Sequence, residues 1–215
     1  MFYDRRNAGE QLAVELRSYR SEKPVVLGLP RGGVVVGAPI AAELSCPLDI
    51  IVVRKLGAPG RPELGIGAIA EHGVRVLNDD LIGYLRVSEE YVAEVTGRER
   101  IELERRVEQY RRGKPEIELR ERTAIVVDDG LATGFTARAA VLAARERGAR
   151  QVVLAVPVGA EDTVAALADL ADRVVALSVP RDFQAVGFWY RNFTQTSDKD
   201  VLNALSGGGN TPLNH

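Results

Sequence analysis

Short apolar runs alternate with longer amphipathic stretches along most of the chain. The apolar runs are typical of strands buried on both faces, and they lie at residues 25–27, 50–53, 123–127, 151–156 and 173–177. The amphipathic stretches have the spacing of helices, and they lie at residues 8–19, 34–44, 88–112, 136–147 and 161–170. We expect Asn7 to cap the first of these helices, and Gly97 to bend or break the third.

Alternating strands and helices predict right-handed crossovers, and hence an α/β fold with an open, mainly parallel twisted sheet flanked by helices. Residues 64–70 and 74–77 predict an edge hairpin around His72 and Gly73. The glycines and prolines of residues 57–62 predict a loop, and residues 56–63 are a candidate lid. We expect one domain over residues 1–205, with a core at about 24–179 and a small hood segment formed by the N-terminal region and residues 180–205. Residues 206–215 are predicted to be a flexible tail.

Composition and charge narrow the possible functions. The 215 residues are 46% hydrophobic and 27% charged, which is typical of a globular domain. The net charge of −2 argues against a nucleic-acid partner, so a bound anion needs a local site. One cysteine and two histidines leave no basis for a disulfide, a cysteine-rich zinc site or a Ser-His-Asp triad. The polar N-terminal residues and the absence of a long apolar run predict a cytoplasmic protein without a membrane partner.

The strongest chemical signal follows the predicted strand at residues 123–127. Two adjacent carboxylates, Asp128 and Asp129, come first, and a small-residue loop then leads into a helix. The glycine of this loop allows a ligand to approach the backbone, its hydroxyls can donate hydrogen bonds, and the helix start supplies unpaired N–H groups. The residues of this phosphate cradle are Ala132, Thr133, Gly134, Phe135 and Thr136. The two acids suit hydroxyl groups or a magnesium-bound sugar, so the loop predicts a ribose 5-phosphate site.

This loop resembles the signature of the type I phosphoribosyltransferases. The resemblance implies that Asp128 and Asp129 are the catalytic acids, that they hold the ribose hydroxyls, and that they contact Mg²⁺ directly or indirectly. It implies that Ala132 to Thr136 hold the 5-phosphate. The segments at residues 29–35, 53–59 and 179–183 also look like those of bacterial predicted phosphoribosyltransferases without an assigned base. Gly130 and Phe135 depart from the residues that many members have at these positions.

Two other readings of the acid pair stay open on the residues alone. One is a helix cap, which accounts for a single aspartate. The other is the strand-end acid cluster of a phosphatase or receiver domain, although a phosphatase would place its acids two residues apart. Neither accounts for the threonines and Gly134 that follow.

Two further segments are candidates for binding a diphosphate. Arg31, Gly32 and Gly33 follow the first buried strand, where the family receives the diphosphate through backbone N–H groups and often a strained peptide. Arg54 and Lys55 end the next strand, and they resemble basic residues that grip the diphosphate in the family. A plain turn and a solvated strand end are the corresponding structural alternatives. Because strand residues alternate in direction, only one of Arg54 and Lys55 is expected to face the site.

Aromatic residues are concentrated near the C-terminus. Phe183, Phe188 and Trp189 offer stacking surfaces for a nitrogenous base, and family members commonly place a base-binding hood at this end of the sheet. The alternative is that these rings pack the segment onto the core. Asp182 and Asn192 are candidates for hydrogen bonds to a base edge.

The resemblance implies a magnesium-dependent transfer of the 5-phosphoribosyl group from phosphoribosyl diphosphate to a nitrogenous base, in nucleotide salvage or synthesis. It also implies a homodimer. Two alternatives stay open, because a fold does not fix a function. One is a catalytically silent module of the same fold that binds a nucleotide or sugar phosphate, and the other is a hydrolase that acts on a phosphorylated sugar.

Overall fold

The computed structural model describes residues 1–207, and its centre is a five-stranded parallel sheet. Eight strands occur within these residues: β1 Val25–Gly28, β2 Leu48–Ile50, β3 Val53–Ala58, β4 Arg61–Ala70, β5 Arg75–Leu77, β6 Thr123–Val127, β7 Gln151–Val158 and β8 Arg173–Ser178. The central sheet has the order β2-β1-β6-β7-β8, and every neighbouring pair is parallel. The predicted open parallel sheet is confirmed.

Strands β3, β4 and β5 form a separate antiparallel sheet of three strands. The predicted strand at residues 50–53 is therefore two strands in two different sheets. The predicted loop at residues 57–62 is wrong, because β3 and β4 continue into this segment and turn tightly at Gly60, where φ is +67°. Gly57 sits where a Cβ atom would come within 2.6 Å of the Pro62 carbonyl oxygen, so its small size permits the close hairpin that replaces the proposed lid.

Seven α-helices occur in the described part of the chain: α1 Arg5–Glu15, α2 Gly32–Leu44, α3 Asp79–Leu85, α4 Glu89–Arg111, α5 Phe135–Glu146, α6 Glu161–Ala168 and α7 Asp198–Gly207. The first helix begins earlier than predicted, because Asp4 caps it by accepting a hydrogen bond from the Asn7 backbone N–H. Gly97 interrupts nothing, since α4 is continuous. Helices α3 and α7 were not predicted. Two residues of the predicted tail belong to α7, and the rest of that tail lies outside the described residues.

The central strands are buried on both faces, as their unbroken apolar sequence predicts. All five residues of β6 are buried, and their side chains alternate between two cores. Ile125 and Val127 point to the face covered by α1, α2 and α7, whereas Ala124 and Val126 point to the face covered by α5 and the hairpin sheet. Over the described residues, no helix is both long and apolar enough to span a bilayer.

Candidate functional site

The carboxyl ends of β1 and β6 lie side by side at one edge of the central sheet. Gly28 is in register with Val127, so the loops that follow these strands run next to each other. Gly33 packs directly on the second loop, because a Cβ atom there would meet the Val127 carbonyl oxygen and lie 2.9 Å from the Asp128 Cα. The structure therefore brings together the two loops that the sequence predicts to bind one ligand.

The phosphate cradle is held in shape by β7 and α6. The Leu131 N–H donates to the Val158 carbonyl oxygen at 2.9 Å, and the Ala160 N–H donates back to the Leu131 carbonyl oxygen at 3.0 Å. The Thr163 hydroxyl donates to the Ala132 carbonyl oxygen at 2.7 Å. Gly134 precedes α5 with φ of +75°, a left-handed conformation that favours glycine. The backbone then enters α5, whose first-turn N–H groups have no partner within the helix and can bind an anion.

Ala132 and Thr133 are exposed at the mouth of this cradle, while Phe135 and Thr136 are half-buried at the start of α5. Gly130, which departs from the family pattern, has a local explanation. A Cβ atom there would lie 2.6 Å from Val186 Cγ1, so the residue must be small for the hood to pack on the loop.

Asp128 and Asp129 follow the end of β6, and Asp129 Oδ2 reaches the other loop, where a Cβ atom at Gly32 would meet it. The Asp129 backbone N–H donates to Asp128 Oδ1 at 2.9 Å. The pKa of Asp128 is raised well above its ordinary value, first by burial and then by the negative charge of Asp129. A partly buried acid with a raised pKa beside a second carboxylate is a frequent feature of functional sites.

Two residues that the sequence analysis did not select hold Asp129 in place. The Arg5 Nε donates to Asp129 Oδ2 at 2.8 Å, and the Tyr190 hydroxyl donates to the Asp129 carbonyl oxygen at 2.7 Å. The pKa of Tyr190 is raised, mainly by burial and next by the negative charge of Asp129. Arg5 lies 124 positions from its partner, and no local pattern indicates a contact at that separation.

The candidate diphosphate loop lies beside the acid pair. The peptide bond between Pro30 and Arg31 is cis, and α2 begins at Gly32. Arg31 is half-exposed, and its positive charge contributes to the lowered pKa of Asp198, after the hydrogen bonds from Tyr110 and Gln109. A Cβ atom at Gly32 would meet the Asp129 carboxylate, and one at Gly33 would lie 2.9 Å from the Asp128 Cα.

The two basic residues of β3 have different surroundings, as strand alternation requires. Arg54 donates through Nε and Nη2 to Glu99 Oε2 of α4, at 2.9 and 2.7 Å. Lys55 is exposed, and its positive charge acts to lower the pKa of Asp128. Of the pair, Lys55 is the one that the structure places on the side of the candidate site.

The N-terminal segment is hydrogen-bonded to residues 189–192 of the predicted hood. The Phe2 N–H donates to the Trp189 carbonyl oxygen at 2.7 Å, and the Arg191 N–H donates to the Phe2 carbonyl oxygen at 2.9 Å. Phe183 and Trp189 are half-buried and pack on the cluster of Phe2 and Tyr190, as the packing alternative expects. Phe188 is 67% exposed, so its face is available to a ligand. Among the candidates for hydrogen bonds to a base, Asp182 is exposed, and Asn192 Oδ1 accepts from the Thr194 N–H.

Oxygen donors suitable for Mg²⁺ are present at the acid pair. No hydrogen bond from the described residues reaches Asp129 Oδ1 or Asp128 Oδ2, so one oxygen of each carboxylate is free to accept a ligand. This donor set fits a hydrated, substrate-bound magnesium ion. A second acidic cluster, formed by Glu71, His72 and Glu116, does not need a metal. Its carboxylates already contact the Arg111 and Arg147 guanidinium groups, at 2.5 Å from Glu71 and 3.5 Å from Glu116.

An open α/β sheet with candidate binding loops at the carboxyl ends of its strands, here β1 and β6, is typical of folds that bind nucleotides and sugar phosphates. Residues 3–190 match the family described as the phosphoribosyl transferase domain. The chain belongs to that family.

The relatives agree with this assignment. Two proteins of Mycobacterium tuberculosis, from strains H37Rv and CDC 1551, are provisionally named phosphoribosyl transferases, and each is 53% identical over 202 residues. That match covers 94% of this chain and 46% of the relative, so the chain spans about half the length of these proteins.

Solved structures show the same fold. The crystal structure of TT1426 from Thermus thermophilus is 44% identical with a TM-score of 0.81, over 96% of this chain and 98% of that one. The AQ2163 protein from Aquifex aeolicus is 12% identical with a TM-score of 0.52, over 94% of this chain and 85% of that one. The second likeness concerns the fold alone.

Proposed function

We propose that the protein transfers a 5-phosphoribosyl group from phosphoribosyl diphosphate to a nitrogenous base, with magnesium. The observation that carries this proposal is the meeting of three groups at one sheet edge: the acid pair, the cradle at the start of α5, and the glycine loop at the start of α2. A ribose ring with a phosphate at one end and a diphosphate at the other needs such an arrangement.

In this proposal the cradle binds the 5-phosphate through backbone N–H groups of Gly134 and the first turn of α5, with the hydroxyls of Thr133 and Thr136. The free oxygens of Asp128 and Asp129 accept hydrogen bonds from the ribose hydroxyls. Gly32 and Gly33 let the diphosphate approach the backbone, and Lys55 adds positive charge. These contacts fix the reacting carbon between the leaving group and the base. Positioning of this kind can remove a large part of the barrier to such a transfer.

The transition state carries positive charge on the sugar ring as the bond to the diphosphate breaks. In this proposal the carboxylate of Asp129 stabilises that charge, and no covalent intermediate with a protein group is required. Magnesium on the diphosphate supplies charge neutralisation of the leaving group. The hood restricts water, which would otherwise compete with the base.

The test is calorimetric titration with phosphoribosyl diphosphate and Mg²⁺ on the wild type and on D128N/D129N. A matched control is D79N/D80N, because Asp79 and Asp80 are also adjacent acids at a helix start but are exposed on α3. We expect binding to be lost in the first variant and kept in the second. A folded wild type that does not bind would contradict the proposal.

Release of diphosphate with a panel of purine and pyrimidine bases then separates a transferase from a silent binding module. Diphosphate released only when one base is present supports transfer. Binding without release for every base tested favours the regulatory alternative, and release of inorganic phosphate favours a hydrolase.

A further inference from the structure

The side chain of Arg5 makes contacts that join the start of α1 to the hood and to the acid pair. Its Nε donates to Asp129 Oδ2 at 2.8 Å, and its Nη1 donates to the Thr194 carbonyl oxygen at 2.8 Å. The ring centroid of Phe193 lies 3.9 Å from its Cζ, within the range of a cation–π interaction. The Arg5 side chain is only 11% exposed and that of Asp129 only 19%. This ion pair is therefore shielded from solvent, and its geometry is fixed from several sides.

The ion pair also depends on the diphosphate loop. A Cβ atom at Gly32 would meet Asp129 Oδ2 and lie 2.8 Å from Arg5 Nε. Only a glycine leaves room for both groups. Three segments that are distant in the sequence thus converge on the Asp129 carboxylate. An ordinary surface ion pair joins only two side chains.

The two carboxylate oxygens of Asp129 therefore have different surroundings. Oδ2 is taken by Arg5, and the Tyr190 hydroxyl fixes the backbone of the same residue. Oδ1 is left without a hydrogen bond from the described residues. A carboxylate held in this way presents one acceptor in one direction, which is what recognition of a hydroxyl group requires.

We propose that Arg5 is a positioning residue that aims Asp129 at the 2-hydroxyl of the substrate's ribose ring, and so makes the site selective for sugars that carry this hydroxyl. This inference rests on the proposed binding of a ribose 5-phosphate group. It adds to it a role for the N-terminal segment, which supplies no residue to the phosphate cradle.

A purely structural role for Arg5 makes a different prediction. If Arg5 only holds the hood in place, its loss lowers the affinity for every ligand of the site by the same factor. If Arg5 aims Asp129, its loss lowers the affinity for ligands that carry the hydroxyl and leaves the affinity for ligands without the hydroxyl nearly unchanged. The ratio of two dissociation constants therefore separates the roles.

The experiment compares ribose 5-phosphate with 2-deoxyribose 5-phosphate by calorimetry, on the wild type, R5M, R5K and R6M. Arg6 is the matched control, since its side chain is 78% exposed and pairs only with Glu10 among the described residues. We expect the wild type and R6M to prefer the ribose compound by about tenfold or more, the value of a hydrogen bond to a charged group. We expect R5M to lose most of this preference, and R5K to keep part of it.

Equal weakening of both ligands in R5M, at an unchanged ratio, would overturn the proposal and leave Arg5 a structural residue. A preference that R5M retains in full would overturn it as well. Melting temperatures of all four proteins establish that the comparison is made on folded protein. A wild type that binds neither sugar phosphate is a separate result, because it contradicts the proposed function itself.

Discussion

The Thr163 hydroxyl donates a 2.7 Å hydrogen bond to the carbonyl oxygen of Ala132, and so joins α6 to the phosphate cradle. The methyl group of Thr163 packs against Gly134, because a Cβ atom built at Gly134 would lie 2.6 Å from it. Thr163 thus supports the cradle without facing the ligand.

Replacing Thr163 with valine keeps the methyl contact and removes the hydrogen bond. We expect a loss of about 0.5–1.5 kcal/mol in the free energy of unfolding, and several-fold weaker binding of ribose 5-phosphate because the cradle loosens. The matched control is T96V, because the buried Thr96 hydroxyl has no hydrogen-bond partner within the described residues. That variant is expected to keep both properties, so equal effects of the two changes would count against a specific support role.

Replacing Gly33 with alanine should disrupt the contact between the two ligand loops. The added Cβ atom meets the Val127 carbonyl oxygen. Its nearest neighbours are all backbone atoms of Val127 and Asp128, which cannot move aside as a flexible side chain could. We expect a destabilisation of roughly 1–3 kcal/mol, measured by urea denaturation, together with weaker binding of phosphoribosyl diphosphate. Gly65 is the control, since nothing lies within 4 Å of a Cβ atom built there. A G33A protein as stable as G65A would show that the loops are not packed as described.

The two acids of the site should respond oppositely to replacement by asparagine. Burial raises the pKa of Asp128, so the folded protein retains a proton that the unfolded chain releases near the ordinary value of 3.8. Stability is then lost as the pH rises above that value toward the raised pKa, because the unfolded state ionises first. We expect D128N to melt at a higher temperature than the wild type near neutral pH, and the difference to shrink toward pH 4 or below, as calorimetry can measure.

The D129N variant removes the carboxylate that balances Arg5, whose side chain is mostly buried. We expect it to lower the free energy of unfolding by roughly 1.5–3 kcal/mol near neutral pH. A melting temperature of D128N below that of D129N across the whole pH range would contradict this account of the site.

Arg54 and Lys55 are neighbours that should affect different properties. R54M breaks the contact with Glu99, in which the side chains are only 25% and 16% exposed, so the loss is expected in stability. K55M removes an exposed charge near Asp128, so the loss is expected in the affinity for phosphoribosyl diphosphate and in its salt dependence. Thermal melts and calorimetric titrations at two salt concentrations distinguish these effects, and the reverse assignment would show that Arg54 grips the diphosphate.

The shape of the predicted cradle, a loop that leads through Gly134 into a helix, follows from the sequence because its signal is local. A buried strand, two acids, small residues and a helix start follow one another between residues 123 and 147, and each step has its own physical cause. The parallel sheet was accessible for the same reason, since apolar runs and amphipathic stretches alternate in order.

The residues that hold the candidate site in place could not be predicted from the sequence. Arg5 and Tyr190 reach Asp129 from opposite ends of the chain, and their contacts depend on the packing of the hood rather than on spacing. The same holds for Arg54, whose partner Glu99 lies 45 positions away. At residues 57–62, glycine and proline led to the wrong prediction of a loop, because the length of the strands on either side depends on their pairing with each other.

The two halves of the site are attached to parts of the molecule that differ in local stability. The acids follow β6, which is central in the sheet and fully buried, so its amides are expected to exchange with deuterium only through global unfolding. The hood is tied down by a few hydrogen bonds around Phe2 and Tyr190, and most of residues 181–195 are exposed. Opening of the hood alone is therefore expected to leave the sheet intact, at a far smaller energetic cost than unfolding the protein.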